Sequence, residues 1–297
     1  MSYLSVLLLY STEVTDAGLA HLTGLKRLSY LGVGTTRVTD AGLVHLKALS
    51  ALSGVHLDNT QVTDAGLDHL RVLTNLSRVS LNGTRVTDAG LAHLAGLICL
   101  EHLHLNDTQV TSAGLVHLNG LLSLRGLRLD PGIITDAGLA HLRGLTALKA
   151  LELANCDVTD AGLVNLKRLS GLMRLDLSHT RITDAGLVHL KGLTGLMGLN
   201  LRGTAITDAG LVHVEEMTSL RGLNLEGTAV TSAGLSRLKG LSGLFYLDLR
   251  HTRVSDTGLI HLEGLTKLED VELGSTDVTD AGVLTLRRTL PGARISQ

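Results

Sequence analysis

The chain has 297 residues, a formal net charge of −2, 44% hydrophobic residues and only 2% aromatic residues. Its near-neutral charge argues against a nucleic-acid-binding protein, which normally carries a basic excess. Its two cysteines, Cys99 and Cys156, are too few for a disulfide framework or for a four-ligand structural zinc site.

The apolar run at residues 6–9 lacks the basic leader and small-residue cleavage site of a signal peptide. No apolar stretch elsewhere approaches the roughly 18 residues that a membrane helix needs. We therefore predict no membrane segment, and the absence of a disulfide framework favours a cytoplasmic location.

A single motif repeats along the whole chain. The pentapeptide T-D-A-G-L begins at Thr15, and the same motif or a close variant returns every 24 residues, ending at Thr279. This spacing gives twelve copies without insertion or deletion. We predict one domain of twelve repeats over residues 4–291, followed by a partial repeat at residues 292–297.

Each repeat divides into a strand and a short helix. In the second copy, Leu31 and Val33 alternate with outward-facing residues, which is the strand period. Thr39 follows as the predicted helix N-cap, and Asp40 places negative charge at the positive end of the helix dipole. We expect Gly24 and its equivalents to end each helix with left-handed backbone angles.

The strand pattern L-x-x-L-x-L-x-x-T-x-V resembles the leucine-rich-repeat signature, and the T-D-A-G-L half resembles cysteine-containing and GALA-type repeats. Long arrays of repeats with this T-D-A-G-L motif are also similar to bacterial, especially planctomycete, repeat proteins. The resemblance implies an α/β leucine-rich-repeat solenoid, a horseshoe with a parallel β-sheet on the concave face and short helices on the convex face. It also implies a scaffold for protein–protein interaction.

Three polar columns follow the repeat. We interpret the histidines (His21, His45 and equivalents) as helix-flank residues that hydrogen-bond a neighbouring repeat, because ligands on separate helices converge poorly on one metal ion. The aspartates have one carboxylate per turn, which is too few for a calcium loop. Thr36 and its equivalents are expected to satisfy backbone groups between coils, and Cys156 to be a buried member of that column.

We find no constellation of unlike groups that would make a catalytic site, so we predict no enzyme, no metal and no cofactor. The binding surface is expected among the strand residues that vary between repeats, although a merely solvated sheet face is the alternative. The predicted partner-binding side chains are Tyr30, His56, Arg78, His102, His104, Arg128, Glu152, Arg174, Asp176, Arg202, Tyr246, Asp248, Arg250, Asp270 and Glu272.

Two places depart from the repeat. The coil at residues 130–133, Asp-Pro-Gly-Ile, is either a local kink or a partner contact. At the start of the chain, Val6 and Leu8 fall on the open strand face without a capping unit. This edge indicates either a missing upstream region or self-association.

We therefore predict a non-catalytic scaffold that binds a protein on its concave sheet face. Neither nucleic acid nor a membrane is expected as a partner. The alternative is the substrate-recognition part of an F-box, ubiquitin-ligase-like or bacterial effector adaptor, as the family resemblance implies.

Overall fold

A computed structural model of the protein describes residues 3–297, which fall into two compact units. The first unit holds the described residues up to Ile133 together with Ala140–Leu148. The second holds Ile134–Leu139 and Lys149–Gln297. The single domain expected from the repeat stays a prediction.

The strands of each unit pair in parallel and in chain order, at the same register in every repeat: Leu7 lies opposite Leu31, and Leu31 opposite Val55. The first unit contains β1 (Val6–Leu8), β2 (Tyr30–Gly32), β3 (Gly54–His56), β4 (Arg78–Ser80), β5 (His102–His104) and β6 (Gly126–Arg128). The second contains β7 (Ala150–Glu152), β8 (Arg174–Asp176), β9 (Gly198–Asn200), β10 (Gly222–Asn224), β11 (Tyr246–Asp248), β12 (Asp270–Glu272) and β13 (Arg294–Ser296).

The T-D-A-G-L segments form the short helices, most of them a single turn. The α-helices are α1 (Asp16–Ala20), α2 (Asp40–Leu43), α3 (Asp64–Leu67), α4 (Asp88–Leu94), α5 (Asp136–Leu142), α6 (Asp160–Leu163), α7 (Asp184–Leu187), α8 (Asp256–Leu259) and α9 (Asp280–Thr289). The 3₁₀ helices are Val44–Ala48, Ser112–Leu118, Val164–Arg168, Val188–Leu190, Gly210–His213 and Gly234–Leu238.

The core is a stack of aliphatic layers between strands and helices. In the second repeat the strand residues Leu31 and Val33 and the helical residues Leu43 and Leu46 are all 0% exposed. One repeat is too small to hide these side chains alone, so each layer is completed by its neighbours. The middle residue of a strand points into this core, and its first and third residues point to the other side. We call that other side the open sheet face.

Consecutive helix starts are joined by hydrogen bonds that the sequence reading missed. Asp40 accepts from the Thr63 N–H at 2.7 Å and from the Thr63 hydroxyl at 2.6 Å, while Thr63 itself caps α3 through the Ala65 N–H. We call this repeated contact the Asp–Thr ladder. Its aspartates therefore bind the next repeat as well as lying at a helix dipole. The other rungs join Asp16–Thr39, Asp64–Thr87, Asp88–Thr111, Asp136–Thr159, Asp160–Thr183, Asp184–Thr207, Asp208–Thr231 and Asp256–Thr279.

The ladder explains the glycine of the motif. A Cβ on Gly42 would overlap Asp16 Oδ1, and one on Gly66 would overlap Asp40 Oδ1. The motif glycine thus allows close packing between neighbouring coils, with a carboxylate as the group that packs. The expectation for Gly24 is wrong: its φ is not positive and no atom lies within 4 Å of a Cβ there. The chain leaves that helix through a short turn instead, in which the Leu25 N–H donates to the Leu22 carbonyl.

The threonine column also differs from expectation. The Thr60 hydroxyl is buried and donates to the Leu57 carbonyl at 2.6 Å, and Thr84 does the same to Leu81. These bonds lie within one coil, not between coils, because the hydroxyl folds back across its own turn. Cys156 is buried at its place in this column, as predicted, and Cys99 is exposed.

The coil at residues 130–133 has a backbone that differs from its counterparts, and the cause is steric. One residue per repeat adopts positive φ, for example Asp107 at 54° and Asn155 at 58°. Pro131 occupies the equivalent place, and its ring holds φ near about −65°. The left-handed conformation moves to Gly132, whose φ is 84°. Gly132 also takes the place of the column threonine, so this coil, like that of Cys156, lacks the hydroxyl that Thr60 and Thr84 provide.

Candidate functional site

The open sheet face carries the predicted partner-binding residues. Fourteen of the fifteen are at least partly exposed there or just beyond the strand ends. Asp248 is the exception, because its exposure is 0%. The prediction of Asp248 as an exposed contact is therefore wrong. The guanidinium of Arg250 and the ring of Tyr246 cover its carboxylate.

In the first unit, the strands bring together His56, Arg78, His102, His104 and Arg128, which we call the histidine cluster. Arg78 lies opposite His102 in the β4–β5 register, and His104 lies opposite Arg128 in the β5–β6 register. These five side chains and Tyr30 line a cavity of about 370 Å³. These six predicted partner-binding residues thus form one contiguous lining.

Aromatic rings extend the histidine cluster towards the start of the chain. The Tyr30 ring lies 5.2 Å from the His56 ring between centroids, and Tyr10 lies 6.3 Å from His56 in an edge-on arrangement. Burial first, and then a hydrogen bond with Tyr30, raises the pKa of Tyr10 to about 12. The Tyr10 phenol therefore stays uncharged at neutral pH. Glycines make room for the rings, since a Cβ on Gly32 would overlap Tyr10.

Burial is the main cause that lowers the pKa of each cluster histidine below its usual value. The charge of Arg78 lowers the pKa of His56 and His102 further, and that of Arg128 does so for His104. The Asp58 carboxylate acts in the opposite direction on His56, with 3.8 Å between Asp58 Oδ2 and His56 Nδ1. The imidazoles are therefore mostly neutral at pH 7, and a nearby anion that favours the charged form would raise each pKa again.

In the second unit, the open sheet face contains a groove of about 340 Å³. Its floor is low at Gly198 and Gly222, where no side chain projects, and Arg174 and Tyr246 stand at either side. No atom lies within 4 Å of a Cβ built on Gly222. The third residues of the strands place oxygen-bearing side chains along the groove, namely Glu152, Asp176, Asn200 and Asn224.

Beside the groove, a charged network fixes the positions of Tyr246 and Arg250. Arg250 donates to Asp248 Oδ2 at 2.6 Å and to Glu226 Oε2 at 2.9 Å, and Tyr246 donates to Asp248 Oδ2 at 3.1 Å. Although burial alone would raise it, the pKa of Asp248 is lowered by the hydrogen bonds from Arg250 and Tyr246. Burial and the adjacent Asp248 raise the pKa of Tyr246 to about 12.

Two members of this region escaped the sequence reading. Glu226 is buried between Arg202 and Arg250 and binds both. Arg294, in the last strand, donates to Asp270 at 2.6 Å and lies 3.5 Å from Glu272, so its charge offsets that of these two predicted partner-binding side chains. The 24-residue step from Asp270 to Arg294 was the available signal.

The histidine column on the helix side does not behave as one set. His93 Nδ1 lies 3.6 Å from Asp68 of the preceding repeat, near the neighbour that we expected but beyond hydrogen-bond distance. The buried Nδ1 atoms of His69 and His261 have no hydrogen-bond partner, so the expected bond to a neighbouring repeat is wrong for those atoms. Among residues 3–297, no three His, Cys, Asp or Glu side chains are grouped as a metal site would require.

Within the same described range, no helix has the length and apolarity to cross a bilayer. Two leucine-rich-repeat family models match the chain, one at residues 170–230 and one at residues 144–167. A search of curated proteins finds no match.

Two solved bacterial structures share the architecture of the chain. The internalin InlF of Listeria monocytogenes has a TM-score of 0.78 at 22% identity, over 99% of this chain and 86% of the internalin. A leucine-rich-repeat protein of Leptospira interrogans has a TM-score of 0.71 at 18% identity, over 94% of this chain and 74% of its own. At such identities the likeness concerns the fold.

Proposed function

The chain is a leucine-rich-repeat protein, and from that premise we propose that it is a non-catalytic scaffold that binds a protein partner on its open sheet face. This is the face that the repeat pattern predicts to be concave. The fold generally serves protein–protein interaction, and its repetition of the same groups in every unit does not favour a catalytic centre. A bacterial source is part of the proposal, supported by the motif resemblance and the two bacterial neighbours.

The observation that carries the proposal is the groove of the second unit. The Asp–Thr ladder and the leucine layers repeat with little change, whereas the open sheet face changes from strand to strand. Between Arg174 and Tyr246 this face leaves backbone exposed at Gly198 and Gly222, so a partner side chain can approach the sheet closely. A concave site with an apolar floor and a few polar groups is typical of binding sites.

The groove favours an extended segment of a partner. Tyr246 is held by Asp248 and so offers a rigid aromatic wall that loses little conformational entropy on binding. Glu152 and Asp176 make no ion pair within residues 3–297, and their carboxylate oxygens can accept hydrogen bonds from N–H groups of a partner. We infer that the segment lies along the sheet, over β7 to β11.

A matched pair of glycine substitutions tests this assignment. Gly222→Phe fills the groove, while Gly264→Phe adds the same ring in the turn before β12; neither glycine has positive φ, and neither has an atom within 4 Å of an added Cβ. Proteins captured from a lysate of the source organism by the wild type and both variants are compared by quantitative mass spectrometry. The proposal expects at least one protein bound by the wild type and Gly264→Phe but lost with Gly222→Phe. Equal capture by all three would contradict it.

A second proposal concerns self-association at the first strands. Tyr3 is 80% exposed, Val6 49% and Leu8 55%, which makes an apolar group on and beside β1, a strand that pairs only with β2 within residues 3–297. We propose that a second copy of the chain covers this group. Light scattering after size-exclusion chromatography should show a concentration-dependent dimer that Val6→Lys/Leu8→Lys abolishes. A monomer at every concentration contradicts it.

A further inference from the structure

Beyond the groove, we infer that the histidine cluster of the first unit binds an acidic segment of a protein partner, and that this binding strengthens as the pH falls from neutral to mildly acidic. The inference rests on the proposed function, because it treats the same open sheet face as the binding surface. It adds the chemistry of the partner and a condition that regulates binding.

The two arginines of the histidine cluster carry positive charge that no nearby carboxylate compensates. Arg78 and Arg128 are both exposed, and neither has a carboxylate within 4 Å anywhere in residues 3–297. This contrasts with the second unit, where Glu226 and Asp248 already bind Arg250. A guanidinium without a partner offers its full fork of donors to an incoming carboxylate.

The imidazoles of the histidine cluster lie around those charges. His102 lies beside Arg78 on the neighbouring strand, and His104 lies beside Arg128 in the same way. A neutral imidazole has one N–H donor and a protonated one has two. Every cluster histidine is half-buried in a shared cavity, so each can reach a ligand that the arginines hold.

The acidic groups near the cluster do not cancel this charge. Asp58 faces His56 and His104, but one of its oxygens already accepts from the Ser80 hydroxyl and the Asn82 N–H, the latter at 2.8 Å. Glu101, on the flank of His102, lies 3.9 Å from Arg125. Tyr10, whose pKa is raised to about 12, adds no charge near neutral pH.

The direction of the pH response follows from burial and from the two arginines, which keep the imidazoles neutral at pH 7. Acidification adds up to three positive charges to a site that already holds two. Aspartate and glutamate side chains have an ordinary pKa of about 4, so an acidic segment stays ionised at about pH 6. The increase in affinity therefore belongs to the histidines of the protein and not to its ligand.

The test uses a fluorescently labelled oligo-glutamate peptide as the probe, with an oligo-glutamine peptide of the same length as its control. Fluorescence anisotropy at about pH 7.5 and about pH 6 gives the two dissociation constants at constant ionic strength. We expect the affinity for oligo-glutamate to rise at least tenfold, about 1.4 kcal/mol, at the lower pH. Oligo-glutamine should not bind.

Two double variants separate the cluster from histidines elsewhere in the first unit. His102→Gln/His104→Gln should retain the weak binding at the higher pH and lose the increase. His45→Gln/His117→Gln changes two helix-side residues and should behave as the wild type. Circular dichroism verifies that both variants fold. A pH-independent affinity, or an increase that survives His102→Gln/His104→Gln, overturns the inference.

Two further arms identify the ligand class and separate this inference from the proposed function. Tripolyphosphate or a single-stranded oligonucleotide that binds more tightly than oligo-glutamate overturns the acidic-peptide assignment. One outcome is capture of a protein that requires the open groove but depends neither on pH nor on His102 and His104. That result leaves the proposed function intact and refutes this inference alone. Capture that never depends on the open sheet face refutes the proposed function.

Discussion

Replacing Asp160 with alanine should loosen one rung of the Asp–Thr ladder without disturbing the leucine core. The Asp160 carboxylate accepts from the Thr183 N–H at 2.8 Å and from the Thr183 hydroxyl at 2.6 Å. Alanine removes both acceptors and the negative charge near the start of α6. No buried apolar contact is lost, so the change isolates the ladder.

The expected magnitude follows from the kind of hydrogen bond and its exposure. A bond to an ionised group contributes about 1.5–3 kcal/mol when buried. Thr183 is exposed and Asp160 half-buried, so water replaces part of what is lost. We therefore expect about 2 kcal/mol for the rung, less than the roughly 3–6 kcal/mol that two such bonds would contribute in full. This corresponds to a local opening that is roughly 30-fold more frequent.

Hydrogen exchange measured by mass spectrometry is the suitable assay, because repeat arrays open locally and need not unfold in a single step. Peptides covering α7 should exchange roughly 30-fold faster in Asp160→Ala, while peptides two repeats further along should not change. Asp160→Ser is the matched control, since Ser232 already fills an aspartate position and accepts from the Ser255 N–H at 3.0 Å. It should show a smaller effect. An unchanged exchange rate at α7 in Asp160→Ala would refute the reasoning.

Three further predictions concern stability. Hydrogen bonds from the Thr279 hydroxyl and N–H hold the pKa of Asp256 below its usual value, so its contribution is present above about pH 4 and lost as the pH falls through the lower folded pKa. Asp256→Asn should therefore be less stable than the wild type above about pH 4, and urea unfolding followed by circular dichroism should show this difference shrinking as the pH is lowered further. Gly42→Ala should lower the free energy of unfolding, measured in urea, by about 2 kcal/mol, because the added methyl group overlaps Asp16 of the preceding repeat. Gly24→Ala should change the free energy of unfolding little. Asp248→Ala should destabilise the folded protein by about 3 kcal/mol, because it leaves the half-buried guanidinium of Arg250 with a single partner. Tyr246→Phe should destabilise it by about 1 kcal/mol, because it removes one hydrogen bond. Thermal unfolding that ranks the two variants in the reverse order contradicts the network.

Much of the fold could be predicted because each repeat contains the alternation of a strand and the start signal of a helix. The alternation at Leu31 and Val33 and the cap at Thr39 each need only local sequence, and both are confirmed. The ladder needs more, since Asp40 reaches Thr63 only once the register between neighbouring repeats is known. A residue pair 23 positions apart looks unrelated in the sequence but is adjacent in the structure.

The candidate site was only partly predictable. Strand periodicity places Asp248 on the open sheet face, and its position as the third residue of β11 agrees with this. Its burial comes from Arg250 folding back over it and from Tyr246 beside it, and side-chain conformations of this kind are not encoded in a period of two. The groove likewise arises from small residues at Gly198 and Gly222, which the sequence reading took as flattening the surface.

The central claim is that a partner lies on the open sheet face, and site-specific photo-crosslinking in the source cells tests it most directly. A photoreactive amino acid is placed at Arg174, on the edge of the groove, or at Val188, which is 46% exposed on the helix side of the same unit. The account predicts a discrete protein adduct from position 174 and none from position 188. An adduct from 188 alone, or from both positions to the same protein in equal yield, would contradict it.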